Sequence, residues 1–171
     1  KYEIREKGSN GEFFTMEQDE KGTFIMNSRD LRLIEYLPEV IDAGIMSLKI
    51  EGRMKSIAYV ATVVNAYRMA LDEYSRSQEL GIPYKVPELV MKELELASHR
   101  PYTTGFAFGE PGPGGQETGA GGYISDGAIA AVVQAYDAEN KIAAIAQRNK
   151  FVDGEELMIL SPRDIGRSFI V

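Results

Sequence analysis

Between Gly105 and Gly122 the chain carries glycine at positions 105, 109, 112, 114, 115, 119, 121 and 122, together with Pro111 and Pro113. No other feature constrains the fold as strongly. Glycine loses more backbone freedom on ordering than any other residue and brings no side chain to bury, so such a run cannot offset its own ordering entropy. A mobile loop or linker is therefore expected over 105–122, dividing the chain into a first part, 1–104, and a second, 123–171. The run is not a phosphate loop, because no Gly-Lys-Ser/Thr closes it and no strand precedes it.

The first part is rich in long side chains with helical spacing. Before the helices, Glu12-Phe13-Phe14-Thr15-Met16 and Thr23-Phe24-Ile25-Met26 are β-prone runs flanking the turn-rich Asp19-Glu20-Lys21-Gly22, and a hairpin is expected there. Asn27 and Ser28 offer N-cap oxygens and Asp30 suits a first turn, so a helix is expected through Leu31, Ile34 and Leu37. Pro38 kinks that helix or starts a second one that runs to Gly44, a suitable C′ residue. Ile45 to Glu51 alternates, with Leu48 and Ile50 on one face and Ser47, Lys49 and Glu51 on the other, which predicts a short strand. Ile57, Val60, Val64, Tyr67, Leu71 and Tyr74 then recur at spacings of 3, 4, 3, 4 and 3, a sustained helical stripe. A further helix is expected over Val86 to Ser98, opened by Pro87.

Helix, strand and helix joined by short connectors is the unit of a parallel α/β sheet or barrel, so 1–104 is expected to be the end of a (β/α) barrel-like domain. In the second part, 129–136 and 141–147 flank Asp137-Ala138-Glu139-Asn140, and Leu157 to Leu160 follows Asp153-Gly154. Three or more short strands with polar turns predict a small β-barrel over 123–171, with a helical alternative left open for the Ala-rich 128–136. The fold class expected is thus α+β or α/β. With no initiator Met and an apolar end at Phe169-Ile170-Val171, the chain reads as a piece of a longer protein.

Composition narrows the chemistry. The 171 residues include no cysteine and one histidine, His99, which removes disulfides, a thiol nucleophile, cysteine-ligated metals and multi-histidine metal sites from this chain. No metal or cofactor is expected on it. The net charge of −7 argues against a general nucleic-acid-coating surface. No long apolar run and no apolar signal segment is present, so no membrane partner and a cytoplasmic location are expected.

Lys49 and Glu51 share a strand face, and Arg53 enters from the following loop. If that strand lies in a barrel, the trio sits at the C-terminal mouth, where such folds keep their active sites, and it suits holding an anion or moving a proton. An ion pair that only fixes packing is the alternative. Arg68 interrupts an apolar helix face, either as a substrate contact or as a long side chain reaching solvent. His99, Arg100 and Tyr102 pack an imidazole, a guanidinium and a phenol into one loop, which is either an anion site or a hydrogen-bonded corner. Arg148 and Lys150, beside Phe151, form the one compact basic patch of the second part: an RNA contact or simply a hairpin end.

Several of these stretches together are distinctive. Phe24 to Leu31, Gly44 to Tyr59 with its central Lys49-Ile50-Glu51-Gly52-Arg53-Met54-Lys55-Ser56, Tyr67-Arg68-Met69-Ala70, Ser98 to Phe106 and Gln147 to Phe151 closely resemble the collagenase-like peptidase family U32. The resemblance covers nearly the whole chain. It implies a parent protein with a barrel-like α/β domain followed by a small β-barrel. It also implies either peptidase activity or oxygen-independent hydroxylation: of the tRNA wobble uridine with prephenate as source, of ribosomal RNA, or of a quinone ring. A tRNA or other RNA, or a paralogous subunit, is the partner so implied, and a non-catalytic RNA- or partner-binding module is a further reading. Several members carry an iron–sulfur cluster on cysteines, but Arg32 stands here where many relatives have one of those cysteines. Whatever the parent does, the chain by itself is expected to be inactive.

Overall fold

The computed structural model describes residues 2–5, 14–19, 22–25, 27–111, 115–117, 124 and 127–171. They belong to two compact units, Lys1–Tyr36 with His99–Ile124, and Leu37–Ser98 with Ser125–Val171. Helices and strands are mixed, as expected for an α+β chain.

In the first unit, β1 (Tyr2–Ile4), β2 (Phe14–Asp19) and β3 (Gly22–Ile25) form an antiparallel sheet in that order. The β2–β3 hairpin closes at Asp19 opposite Gly22, at the expected turn. Glu12, Phe13, Glu20, Lys21 and Met26 of that reading lie outside the described residues.

The helix expected from Asn27 does not begin there. Instead β4 (Asn27–Ser28) pairs antiparallel with β7 (Gln116–Glu117), and β5 (Asp30–Leu31) pairs parallel with β6 (Tyr102–Thr103). The Asp30 amide donates to Pro101 O at 3.1 Å and the Arg32 amide to Thr103 O at 2.9 Å. With these backbone groups taken by distant segments, the first helical turn waits until Ile34–Tyr36, a 3-10 turn. Local cap chemistry has lost to tertiary pairing. The same pairing corrects the linker expectation in part, since Gln116 and Glu117 are tied into a ladder; 112–114 and 118–123 lie outside the described residues.

The second unit starts with α1 (Leu37–Asp42), which holds Pro38 in its first turn and is followed by Gly44 at φ 83°. Residues 45–52 form neither helix nor strand, contrary to the predicted strand over 45–51. Alternation specifies two faces but supplies no ladder partner, and among the described residues no strand pairs with this segment. Ile45 and Met46 are accordingly exposed.

α2 (Ile57–Leu80) is longer than its apolar stripe. Ser56 caps it by accepting the Tyr59 amide, and Gly81 ends it in the left-handed region at φ 64°. Its buried face is not the predicted one. Thr62, Val63, Asn65, Ala66, Ala70 and Ser77 are buried, whereas Ile57, Val60 and Val64 are exposed. Tyr67, Leu71 and Tyr74 of the stripe are half-buried, and the helix packs against α3 (Glu88–Leu96). α3 buries Val90 and Leu94, each contributing about 1.5–3 kcal/mol by burial of its side chain. Pro87 is the cap residue of α3 rather than its first helical residue.

The later strands form two separate hairpins. β8 (Ala131–Asp137) pairs with β9 (Ile142–Gln147), and β10 (Glu156–Ser161) with β11 (Asp164–Ile170). The helical alternative for 128–136 is thereby resolved as strand over 131–137. β11 lies beyond the segments that sequence pattern identified. Among the described residues the strands close into no barrel. Also among them, no helix is long and apolar enough to cross a membrane.

Candidate functional site

Pairing of β5 with β6 brings together residues just over seventy positions apart. The Asp30 carboxylate accepts the Arg100 backbone N–H at 3.1 Å and the Arg100 Nε–H at 3.2 Å. Charge-assisted bonds of this kind, made by side chains only 15% and 27% exposed, hold the corner far more firmly than an exposed ion pair. Asp30, expected as a helix cap, is thus the clasp of the 99–103 loop.

Inside that clasp the His99 ring stacks on Tyr102, with centroids 4.1 Å apart and planes 11° apart. His99 is buried. Its Nδ1 lies 2.8 Å from Arg100 O, and since a carbonyl only accepts, Nδ1 is the donor of that bond. The Arg32 guanidinium sits 4.2 Å from the Tyr102 centroid and bonds Glu35 Oε1 at 2.6 Å. His99, Arg100 and Tyr102, proposed from one loop, are indeed neighbours, and Asp30, Arg32 and Glu35 join them. Of these, sequence reading took Asp30 as a cap residue and Arg32 as a substituted cysteine position, and did not single out Glu35.

Beside this cluster, β5 and β6 line a cavity of about 410 Å³ whose walls include Ser28, Arg29, Leu31, Thr103, Thr104 and Phe106. An apolar wall with one guanidinium and three hydroxyls suits a small ligand that has an apolar body and an anionic end.

In the second unit the predicted trio remains on the 45–56 loop. Glu51 Oε1 accepts the Arg53 amide at 2.8 Å, so the carboxylate shapes the turn into α2. Lys49 is exposed and, among the described residues, makes no ion pair. Gly52 keeps the loop close to α2: a Cβ there would lie 2.7 Å from Val60 Cγ2. Lys55, which sequence reasoning did not single out, donates to Ser98 O at 2.9 Å and lies 4.7 Å from the Tyr59 centroid. Arg68 points along its own helix to Asp72 at 2.7 Å. Arg148 and Lys150 lie on the bend past β9, where the Arg148 amide donates to Ala130 O at 2.8 Å.

No cysteine stands anywhere in the chain, and the Arg32 side chain is committed to Glu35 and Tyr102. These residues do not fit an iron–sulfur cluster, because a guanidinium that stays protonated cannot replace a thiolate ligand.

The family model of peptidase family U32 matches residues 1–117. tRNA hydroxylation protein P1 of Bacillus subtilis (strain 168) is 38% identical over 144 residues, which is 84% of this chain and 33% of that protein. tRNA hydroxylation protein P of Escherichia coli (strain K12) is 36% identical over 162 residues, 94% of this chain and 34% of that protein. A collagenase of Porphyromonas gingivalis (strain ATCC BAA-308 / W83) is 34% identical over 73 residues, 43% of this chain and 16% of that protein. The chain spans about a third of the length of the first two relatives. No solved structure matches it.

Proposed function

This chain belongs to peptidase family U32, and from that membership we propose that the protein serves hydroxylation of tRNA. One observation carries the reading. The relatives that match the chain over 84% and 94% of its length both bear the name tRNA hydroxylation protein, whereas the collagenase matches 43% of it.

The chemistry proposed is oxygen-independent hydroxylation of the wobble uridine, with an anionic, prephenate-like hydroxyl source. In it Lys49 and Arg53 hold an anion, since both cations leave a turn that Glu51 braces through the Arg53 amide. His99, Arg100 and Tyr102 serve as a planar substrate-contacting group, and Arg68 as a supporting cation. Arg148 and Lys150 contribute backbone contacts to RNA. The proposed location is the cytoplasm, where tRNA is modified.

Peptide hydrolysis is the second reading, favoured by the collagenase match and by a match to an uncharacterized protease of Methanocaldococcus jannaschii over 52% of the chain. It has less chemical support. The chain offers no thiol, and its single histidine is stacked on Tyr102. The deciding experiment is mass spectrometry of tRNA nucleosides from cells with and without the encoding gene. Loss of 5-hydroxyuridine derivatives is expected. An unchanged profile, with gelatin cleavage by the purified protein that is lost on Glu51→Gln, would transfer the proposal to peptide hydrolysis.

A further inference from the structure

Residues 45–52 belong to neither helix nor strand, yet this segment and the turn after it carry the exposed Lys49, Glu51 and Arg53. Backbone outside a ladder is held by whatever turn and side-chain bonds reach it. Two of these are local. Glu51 Oε1 accepts the Arg53 amide at 2.8 Å, and Gly52 O accepts the Lys55 amide at 2.9 Å. They give the turn its shape and leave its attachment to longer-range bonds.

Lys55 supplies such a bond. Its Nζ donates to Ser98 O at 2.9 Å, a carbonyl 43 positions away and one residue past the Ala97 cap of α3. The same ammonium lies 4.7 Å from the ring centroid of Tyr59, on the first turn of α2. The turn is thus tied to the start of one helix and the end of the other. Lys55 is half-buried, whereas Lys49 and Arg53 are exposed. A cation set against a carbonyl and a ring face has exchanged water for protein partners, while the charges of Lys49 and Arg53 stay in solvent.

We propose that Lys55 is a positioning residue for Lys49 and Arg53, fixing the turn that presents these two cations to a small organic anion. The proposal rests on the anion-holding role given to that pair above. Two cations hold one anion well when the anion need not order them first, since every loop and long side chain immobilised on binding subtracts from affinity. Lys49 and Arg53 lie on the chain just before Lys55, so releasing the tie to Ser98 O loosens the backbone under both. Direct contact of Lys55 with the anion is a different role, and the two are separable by experiment.

The purified product of the encoding gene is titrated calorimetrically with prephenate, a dicarboxylate. The wild type is compared with Lys55→Met, Lys55→Gln, Lys55→Arg, Lys49→Ala and the double variant Lys49→Ala with Lys55→Met, each first shown by thermal melting to be folded at the titration temperature. Lys55→Met and Lys55→Gln are expected to weaken binding about fivefold to tenfold, and Lys55→Arg, which keeps a long cationic donor, about twofold or less. In the Lys49→Ala background, Lys55→Met is expected to add clearly less than it costs alone, because a residue acting through another loses its effect with that partner. A merely structural role gives no such coupling. No binding by the wild type, or wild-type affinity in Lys49→Ala, would overturn the anion-holding reading and this proposal with it. Weak binding by Lys49→Ala beside undiminished binding by folded Lys55→Met or Lys55→Gln would overturn this proposal alone. Full additivity, the mark of direct contact, or Lys55→Arg binding no better than Lys55→Met would do the same.

Discussion

Asp30 holds Arg100 twice, through its backbone amide at 3.1 Å and its Nε at 3.2 Å, and thereby fixes the loop that stacks His99 on Tyr102. The relationship is one of position before chemistry. The clasp fixes the loop that carries His99, Arg100 and Tyr102, the residues to which the proposed tRNA reading gives substrate contact.

Asp30→Ala removes both acceptors and leaves a part-buried guanidinium without its carboxylate. A loss of about 1–3 kcal/mol is expected, with Asp30→Asn losing less because it keeps one acceptor. Urea denaturation followed by Tyr fluorescence measures both.

The Gly52→Ala methyl would meet Val60 Cγ2, a stiff β-branched side chain on α2. Since neither side yields easily, about 1–3 kcal/mol of destabilisation is expected, together with displacement of the turn that carries Glu51 and Arg53. Thermal melting reads the first effect and amide shifts of residues 51–56 the second. Gly52→Ala combined with Val60→Ala should recover part of the loss.

Burial raises the Glu93 carboxyl above its ordinary value of 4.5. The folded state therefore binds this proton more tightly than the unfolded state does. Its contribution to stability is most favourable below the ordinary value and is lost as pH rises through the raised folded value. Glu93→Gln, which keeps the shape without the charge, is expected to be more stable than the parent at neutral pH by roughly 1 kcal/mol. The difference should vanish in acid, and melting temperatures taken across that range check it.

Asn65→Ala strips the clamp from the β10–β11 turn. A loss of about 1–2 kcal/mol is expected, because the Arg163 amide gives up a short bond to a buried acceptor. Hydrogen exchange should quicken at Arg163 and Asp164 before it does elsewhere.

What sequence revealed, and what it hid, has a physical pattern. The β2–β3 hairpin, Pro38 at the start of α1, and the β8–β9 hairpin all follow from local chemistry. The Asp30 pairing with 100–102 was hidden because cap chemistry at Asn27 to Asp30 is local while the parallel ladder depends on residues some seventy positions away. The α2 face was misplaced because periodicity weighs large residues such as Ile57 and Val64, whereas close packing selects Ala66, Ala70 and Ser77. The strand over 45–51 was wrongly expected because alternation does not reveal whether a partner strand exists. His99, Arg100 and Tyr102 could be grouped from sequence because they share one short loop. Asn65 and Arg163 carried no comparable signal.

The most direct test returns to the tRNA itself. A strain lacking the gene is complemented with the wild-type gene or with Lys49→Glu, an exposed position whose reversal should leave folding and abundance unchanged. The account predicts that 5-hydroxyuridine derivatives return with the wild type and not with Lys49→Glu. Full return with an equally abundant Lys49→Glu protein, or no return with the wild type, would contradict it.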